Sequence, residues 1–100
     1  MSVSIYADSK EIAQMSSAVG FCFVEQMKTI ERLIDTQCGI SDVVFDEVYV
    51  DPTRFTGFVD SLVNRLDETN NGQLAALCVG CLQICFFLHS RIFDNQPNVP

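Results

Sequence analysis

One hundred residues with 48% hydrophobic content suffice for a single core that needs neither metal nor disulfide to hold it. Six Lys and Arg against thirteen Asp and Glu give a net charge of −7, which excludes nucleic-acid binding by phosphate neutralisation because that footprint is a basic face. Five cysteines, an odd number, and a start that lacks a basic, apolar secretory signal predict reduced thiols in a cytoplasmic protein.

Val3, Ile5 and Ala7 alternate with Ser4, Tyr6 and Asp8, the period of a half-buried strand, and Asp8-Ser9-Lys10 follows as a turn. Glu11 to Ser17 fits either the second strand of a hairpin or a first helical turn, since Asp8 and Glu11 have capping-box spacing. From about Ala18 to Gln37, Phe23, Met27, Ile30 and Ile34 form one apolar helical stripe, with Val19 and Phe21 near its start. Glu25, Lys28, Glu31, Arg32 and Asp35 fill the outer face, where Lys28 is spaced to pair with Glu25 and Glu31. Gly39 is the expected C-cap.

Ile40 to Val50 reads as an irregular segment ending in a short strand, with Val44, Val48 and Val50 on one alternating set and Phe45 and Tyr49 on the other. Asp51-Pro52 starts a helix, an acidic N-cap followed by proline where its missing N–H costs nothing. Phe55, Phe58, Val59, Leu62 and Leu66 supply its buried face, while Thr53, Asp60, Asn64 and Asp67 stay wet. Thr69-Asn70-Asn71-Gly72 is a turn of a length that returns the next helix antiparallel.

Between Leu74 and Ser90 the chain runs LAALCVGCLQICFFLHS, seventeen residues without one formal charge. Such a helix is expected to be hidden on nearly all sides. Ala76 and Gly80, one turn apart, let a neighbouring backbone approach, and Leu77, Cys81, Ile84 and Leu88 are expected to pack on an adjoining face. A bilayer core asks for about twenty mostly apolar residues, and Gln83 and His89 interrupt this shorter run, so a soluble core helix and no membrane association are expected. Arg91 suits the helix C-terminus, and the prolines of Asn95 to Pro100 predict a frayed tail. The expected fold class is mainly α, a compact bundle of three to four helices with a short N-terminal strand or hairpin and a buried C-terminal helix. Residues 1–94 form its single domain and 95–100 its tail.

Cys78, Cys81, Cys85 and His89 recur at i, i+3, i+7 and i+11, but a rise of about 1.5 Å per residue puts the outer two some 16 Å apart. They cannot enclose one tetrahedral ion. Cysteine packs well as a small apolar group, so neither metal nor cofactor is expected, and the C-x2-C spacing inside a helix disfavours thioredoxin-like chemistry. His89 has no nucleophile or orienting carboxylate at a supporting spacing and reads as structural. No phosphate-cradling glycine loop, G-x-S-x-G or H-E-x-x-H occurs, and the acids around Asp46 lack the glycine turn of a calcium loop. The chain reads as no enzyme.

Between Asp35 and Glu68 eight acids face two bases, net −6 of the total −7, and the complement of such a surface is a basic partner. The strand Val3-Ser4-Ile5-Tyr6-Ala7, the helix entry Ser16-Ser17-Ala18-Val19-Gly20-Phe21 and the Val50-Asp51-Pro52 start of a Phe/Leu-rich helical hairpin resemble the small acidic immunity proteins of bacterial toxin–immunity pairs. The resemblance implies stoichiometric inhibition of a cognate protein toxin, with a basic active-site cleft occluded by this chain. Asp42, Asp46, Glu47 and Asp51, with Tyr49 as aromatic anchor, are the expected inserted surface, extended by Asp60, Asp67 and Glu68. Two other classes are a helical adaptor or homodimerising subunit that associates through the last helix, and a thiol-based metal or redox sensor.

Overall fold

The computed structural model describes residues 1–93, so the expected tail at 95–100 lies outside the described residues. Three strands and three helices follow one another as β1 (Ser2–Ala7), β2 (Lys10–Ser16), α1 (Ser17–Ile34), β3 (Glu47–Val50), α2 (Pro52–Glu68) and α3 (Gly72–Phe93). Helix dominates, but the architecture is not a helical bundle. The strands form one sheet in the order β2-β1-β3, with β1 antiparallel to β2 and parallel to β3.

The undecided segment after Asp8 is a strand. Asp8 and Ser9 both take positive φ, 53° and 66°, so β1 and β2 are joined by a two-residue hairpin of the kind whose twist matches the strands. Ile12 lies between the Ile5–Ala13 and Tyr6–Glu11 pairs as the extra residue of a β-bulge, which turns it into the core beside its neighbour Ala13. The Ile12 carbonyl accepts the Nε–H of Arg91, from the last turn of α3, at 2.9 Å.

Ser16 caps α1 by accepting the Val19 N–H at 3.3 Å, and Gly20 brings the helix so close to β1 that a Cβ there would sit 3.0 Å from Val3 Cβ. The helix ends at Ile34, earlier than expected: Asp35, at φ 53°, turns its N–H back to the Glu31 carbonyl. Lys28 does not complete an ion pair along the helix; its ammonium donates to the Ile40 carbonyl at 2.6 Å and fixes the loop that follows. Gly39 serves that loop instead, at φ 74° against the first turn of α2. Asp51 and Pro52 open α2 as expected, and Asn71 caps α3 by accepting the N–H groups of Gln73 and Leu74.

Alternate residues of β1 and β3 are buried, so all three helices cover one face of the sheet and the other face meets solvent. Val3, Ile5, Ala7, Val48 and Val50 on the inner face join Phe23, Met27, Phe55, Phe58 and Leu62 in one hydrophobic cluster. Four cysteines also belong to it: Cys38, Cys78, Cys81 and Cys85. Met27 lies under α3, where Cys81 Sγ and Cys85 Sγ approach its sulfur at 3.2 and 3.6 Å. The radius of gyration, 13.7 Å, is that of a compact chain of this length.

The expectation that α3 is hidden on nearly all sides is overturned. Only Cys78, Cys81, Cys85 and Leu88 are buried, a stripe along one side, while Leu77 is 77% exposed and Val79, Phe86 and Phe87 are each about half exposed. The sheet and two amphipathic helices offer this helix one face to lie on, not a jacket. Gly80, expected to receive a neighbouring backbone, has nothing within 4 Å of where a Cβ would stand. By length and composition α3 is apolar enough to cross a bilayer, yet its buried stripe is part of the common core.

Candidate protein-binding site

The acidic residues read from the sequence fall into two groups in space. Asp42, Asp46, Glu47 and Tyr49 gather on the loop before β3 and on β3 itself, an edge of the sheet. Asp51 stands at the base of this group but is engaged. Its Oδ1 accepts the Thr53 and Arg54 N–H groups at 3.1 and 3.3 Å, and its Oδ2 lies 3.7 Å from Arg54 Nε. Asp60, Asp67 and Glu68 are exposed on α2. A rise of about 1.5 Å per residue puts Glu68 some 24 Å along the helix from its start, beyond the reach of one small interface centred on β3.

The feature that composition and period did not reveal is Phe45. Val44 and Glu47 exchange both backbone hydrogen bonds at 3.0 Å, closing a two-residue turn whose central residues are Phe45 at φ 52° and Asp46 at φ 61°. Left-handed backbone suits Asn, Asp and Gly; a bulky aromatic residue there is an outlier, and such strain persists only where surrounding bonds over-determine it. Here the Asp46 carbonyl accepts the Ser4 N–H at 2.9 Å and ties the turn to β1. The result is a phenyl ring 94% exposed at the tip of a braced turn, with Asp46 beside it and half-exposed Val44 on its other side. Its only sequence signal was Phe45-Asp46 inside an acidic loop, where a core role was equally readable.

Behind the tip lies an aromatic platform on the open face of the sheet. Tyr6 and Tyr49 are direct partners in the β1–β3 register, and their rings stack at 5.5 Å. The Tyr49 hydroxyl donates to the Glu47 carboxylate, which holds the phenol above its usual pKa. Ser41 locks the strand from its outer side: its N–H donates to the Tyr49 carbonyl at 2.9 Å and its Oγ accepts the Tyr49 N–H at 2.8 Å. That cover satisfies part of an edge strand that would otherwise invite pairing.

Elsewhere the cysteines behave as core. Burial pushes the Cys38 and Cys78 thiols up, and the hydrogen bond between Cys81 and Cys85 lowers the first and raises the second, while Cys22 stands exposed outside the core. No group of three or more His, Cys, Asp or Glu with metal-holding geometry occurs among the described residues. His89 packs its ring 4.6 Å from that of Phe93.

The profile of a family of unknown function, DUF6086, matches residues 1–96, and the chain belongs to that family. No curated protein and no solved structure matches it.

Proposed function

We propose that this chain is a non-catalytic binding protein of the immunity type, which neutralises a toxin by seating the Phe45 turn and its acidic surroundings in a basic active-site cleft. The observation that carries this reading is Phe45 itself, held 94% exposed in left-handed backbone with Asp46 and Glu47 following it. An aromatic anchor ringed by charge has the composition of an interface hot spot: the ring fills a pocket, and the carboxylates meet basic groups at the rim. Because the turn is braced by backbone bonds, little order has to be gained on binding. Asp42, Asp46 and Glu47 steer the encounter through their charge, and Tyr49 with Tyr6 widens the apolar contact. Asp51 contributes mainly as the cap of α2, and Asp60, Asp67 and Glu68 act only through the long-range field.

The test is the association kinetics of the purified chain with the product of the coding sequence adjacent to its own. Asp46→Lys with Glu47→Lys is expected to slow association at low salt by tenfold or more, and the difference should shrink as salt screens it. Equal rates for the two forms at low salt would remove the acidic turn from the binding site.

A further inference from the structure

We propose that the solvent side of α3 is a self-association surface on which a second copy of the chain packs as an antiparallel helix pair, with a twofold axis at Gln83. The surface is separate from the one proposed for the toxin: α3 packs over β2, whereas the Phe45 turn leads into β3 at the other edge of the sheet.

Opposite the buried stripe of α3 runs a second apolar one. Ala76, Val79, Gly80, Gln83, Phe86 and Phe87 are all exposed and recur at i, i+3, i+4, i+7, i+10 and i+11, the spacing of a helix–helix seam. No formal charge lies between Leu74 and Ser90, so two chains of net charge −7 can meet here without placing like charges at the contact. The stripe is self-complementary about its centre. An antiparallel pair with its axis at Gln83 sets Gly80 against Phe86 of the second copy and Val79 against Phe87 of the second copy, large against small on both sides. Gly80 has nothing within 4 Å of its Cβ position, which leaves room for the incoming ring. The two Gln83 carboxamides, each with donor and acceptor, can bond across the axis and fix the register.

The area suits a dimer. Val79, Phe86 and Phe87 keep 46 to 52% of their surface exposed on the stripe, and Leu77, 77% exposed, flanks it, facing Leu33 and Val19 of α1 across the open grooves between the two helices. Counted with these flanking side chains, the face presents on the order of 600 Å² of apolar surface per copy, about 1,200 Å² for a pair, which reaches the lower end of stable interfaces.

Sedimentation equilibrium of the full chain from micromolar to submillimolar concentration tests the proposal. The expected mass is twice the 11.2 kDa of the chain, reverting to 11.2 kDa in Gln83→Glu, which puts two carboxylates on the axis; because Gln83 is exposed, the helical signal of that variant should match the parent, and its melting temperature should match that of the parent diluted to monomer. In a Cys22→Ser background, Gln83→Cys should oxidise to a crosslinked dimer and Val79→Cys should not. A parent chain that stays at 11.2 kDa throughout would overturn the proposal, as would a Gln83→Glu form that still dimerises or Val79→Cys crosslinking as fast as Gln83→Cys. Monomers in solution that instead float with phosphatidylcholine vesicles would overturn it too, by assigning the face to lipid.

Discussion

Tyr6 stacks on Tyr49 across the only parallel strand pair among the described residues, ring centroids 5.5 Å apart and planes 21° from parallel. The pair lies on the solvent face of the sheet, so it gives β3, only four residues long, side-chain support beyond its ladder bonds. Tyr49→Ala is expected to cost about 1 kcal/mol and lower the melting temperature by roughly 4–8 °C. Tyr49→Phe keeps the stack and loses only the exposed bond to Glu47, so its melting temperature should stay near the parent value. Thermal unfolding followed by circular dichroism separates the two.

Phe45 makes a pair of opposite demands on one position. Asn tolerates left-handed backbone and Phe does not, so Phe45→Asn should raise stability by about 1 kcal/mol. The same change removes the proposed anchor and should weaken toxin binding at least thirtyfold, which is about 2 kcal/mol. Denaturant unfolding and calorimetric titration of the same variant check both halves. A residue kept for folding alone would lose stability on replacement.

Gly39 was readable as a helix terminator and is in fact a hinge pin between the loop and α2. Its Asp51 N–H···O=C bond is 2.8 Å, and a Cβ at φ 74° would meet Phe55 N at 2.8 Å and Arg54 Cβ at 2.9 Å. Gly39→Ala is therefore expected to destabilise by about 2 kcal/mol or more, since both the backbone angle and the first turn of α2 must yield. Urea unfolding measures it.

What the sequence disclosed follows from how local each cause is. Asp51-Pro52, the stripe from Phe55 to Leu62 and the turn at Thr69 to Gly72 act within a few residues, and α2 and the start of α3 stand where those signals put them. The position of β3 beside β1 depends on pairing between residues more than forty apart, such as Ile5 with Val48, which no local pattern carries. The exposure of α3 is a third kind of case. Its composition says that the helix avoids water, but which molecule excludes water is decided by how much surface the rest of the fold can offer, and one sheet with two short amphipathic helices covers one side. At the proposed binding site the acids were legible as charge, whereas the exposure of Phe45 was not, because it comes from two positive φ angles.

The buried thiols set a pH limit on the fold. Cys38 and Cys78 are held neutral in the native chain but ionise on unfolding, so above the ordinary thiol range the unfolded state binds fewer protons than the native one. Their contribution is whole below a pH of about 8.5 and is lost as pH rises, by up to about 1.4 kcal/mol per pH unit for each thiol. The melting temperature should hold steady up to that range and fall beyond it, and Cys38→Ala should make the fall shallower. A melting series in pH shows whether it does.

The braced Phe45 turn is the proposed protein-binding anchor. Parallel affinity capture from extract of the native cell, with the parent chain and with Phe45→Ala/Asp46→Lys/Glu47→Lys as baits of equal melting temperature, measures it directly. One basic protein, held at stoichiometric yield by the parent, eluted by salt and absent from the triple variant, is the predicted result. The same partner captured equally by both baits would contradict it.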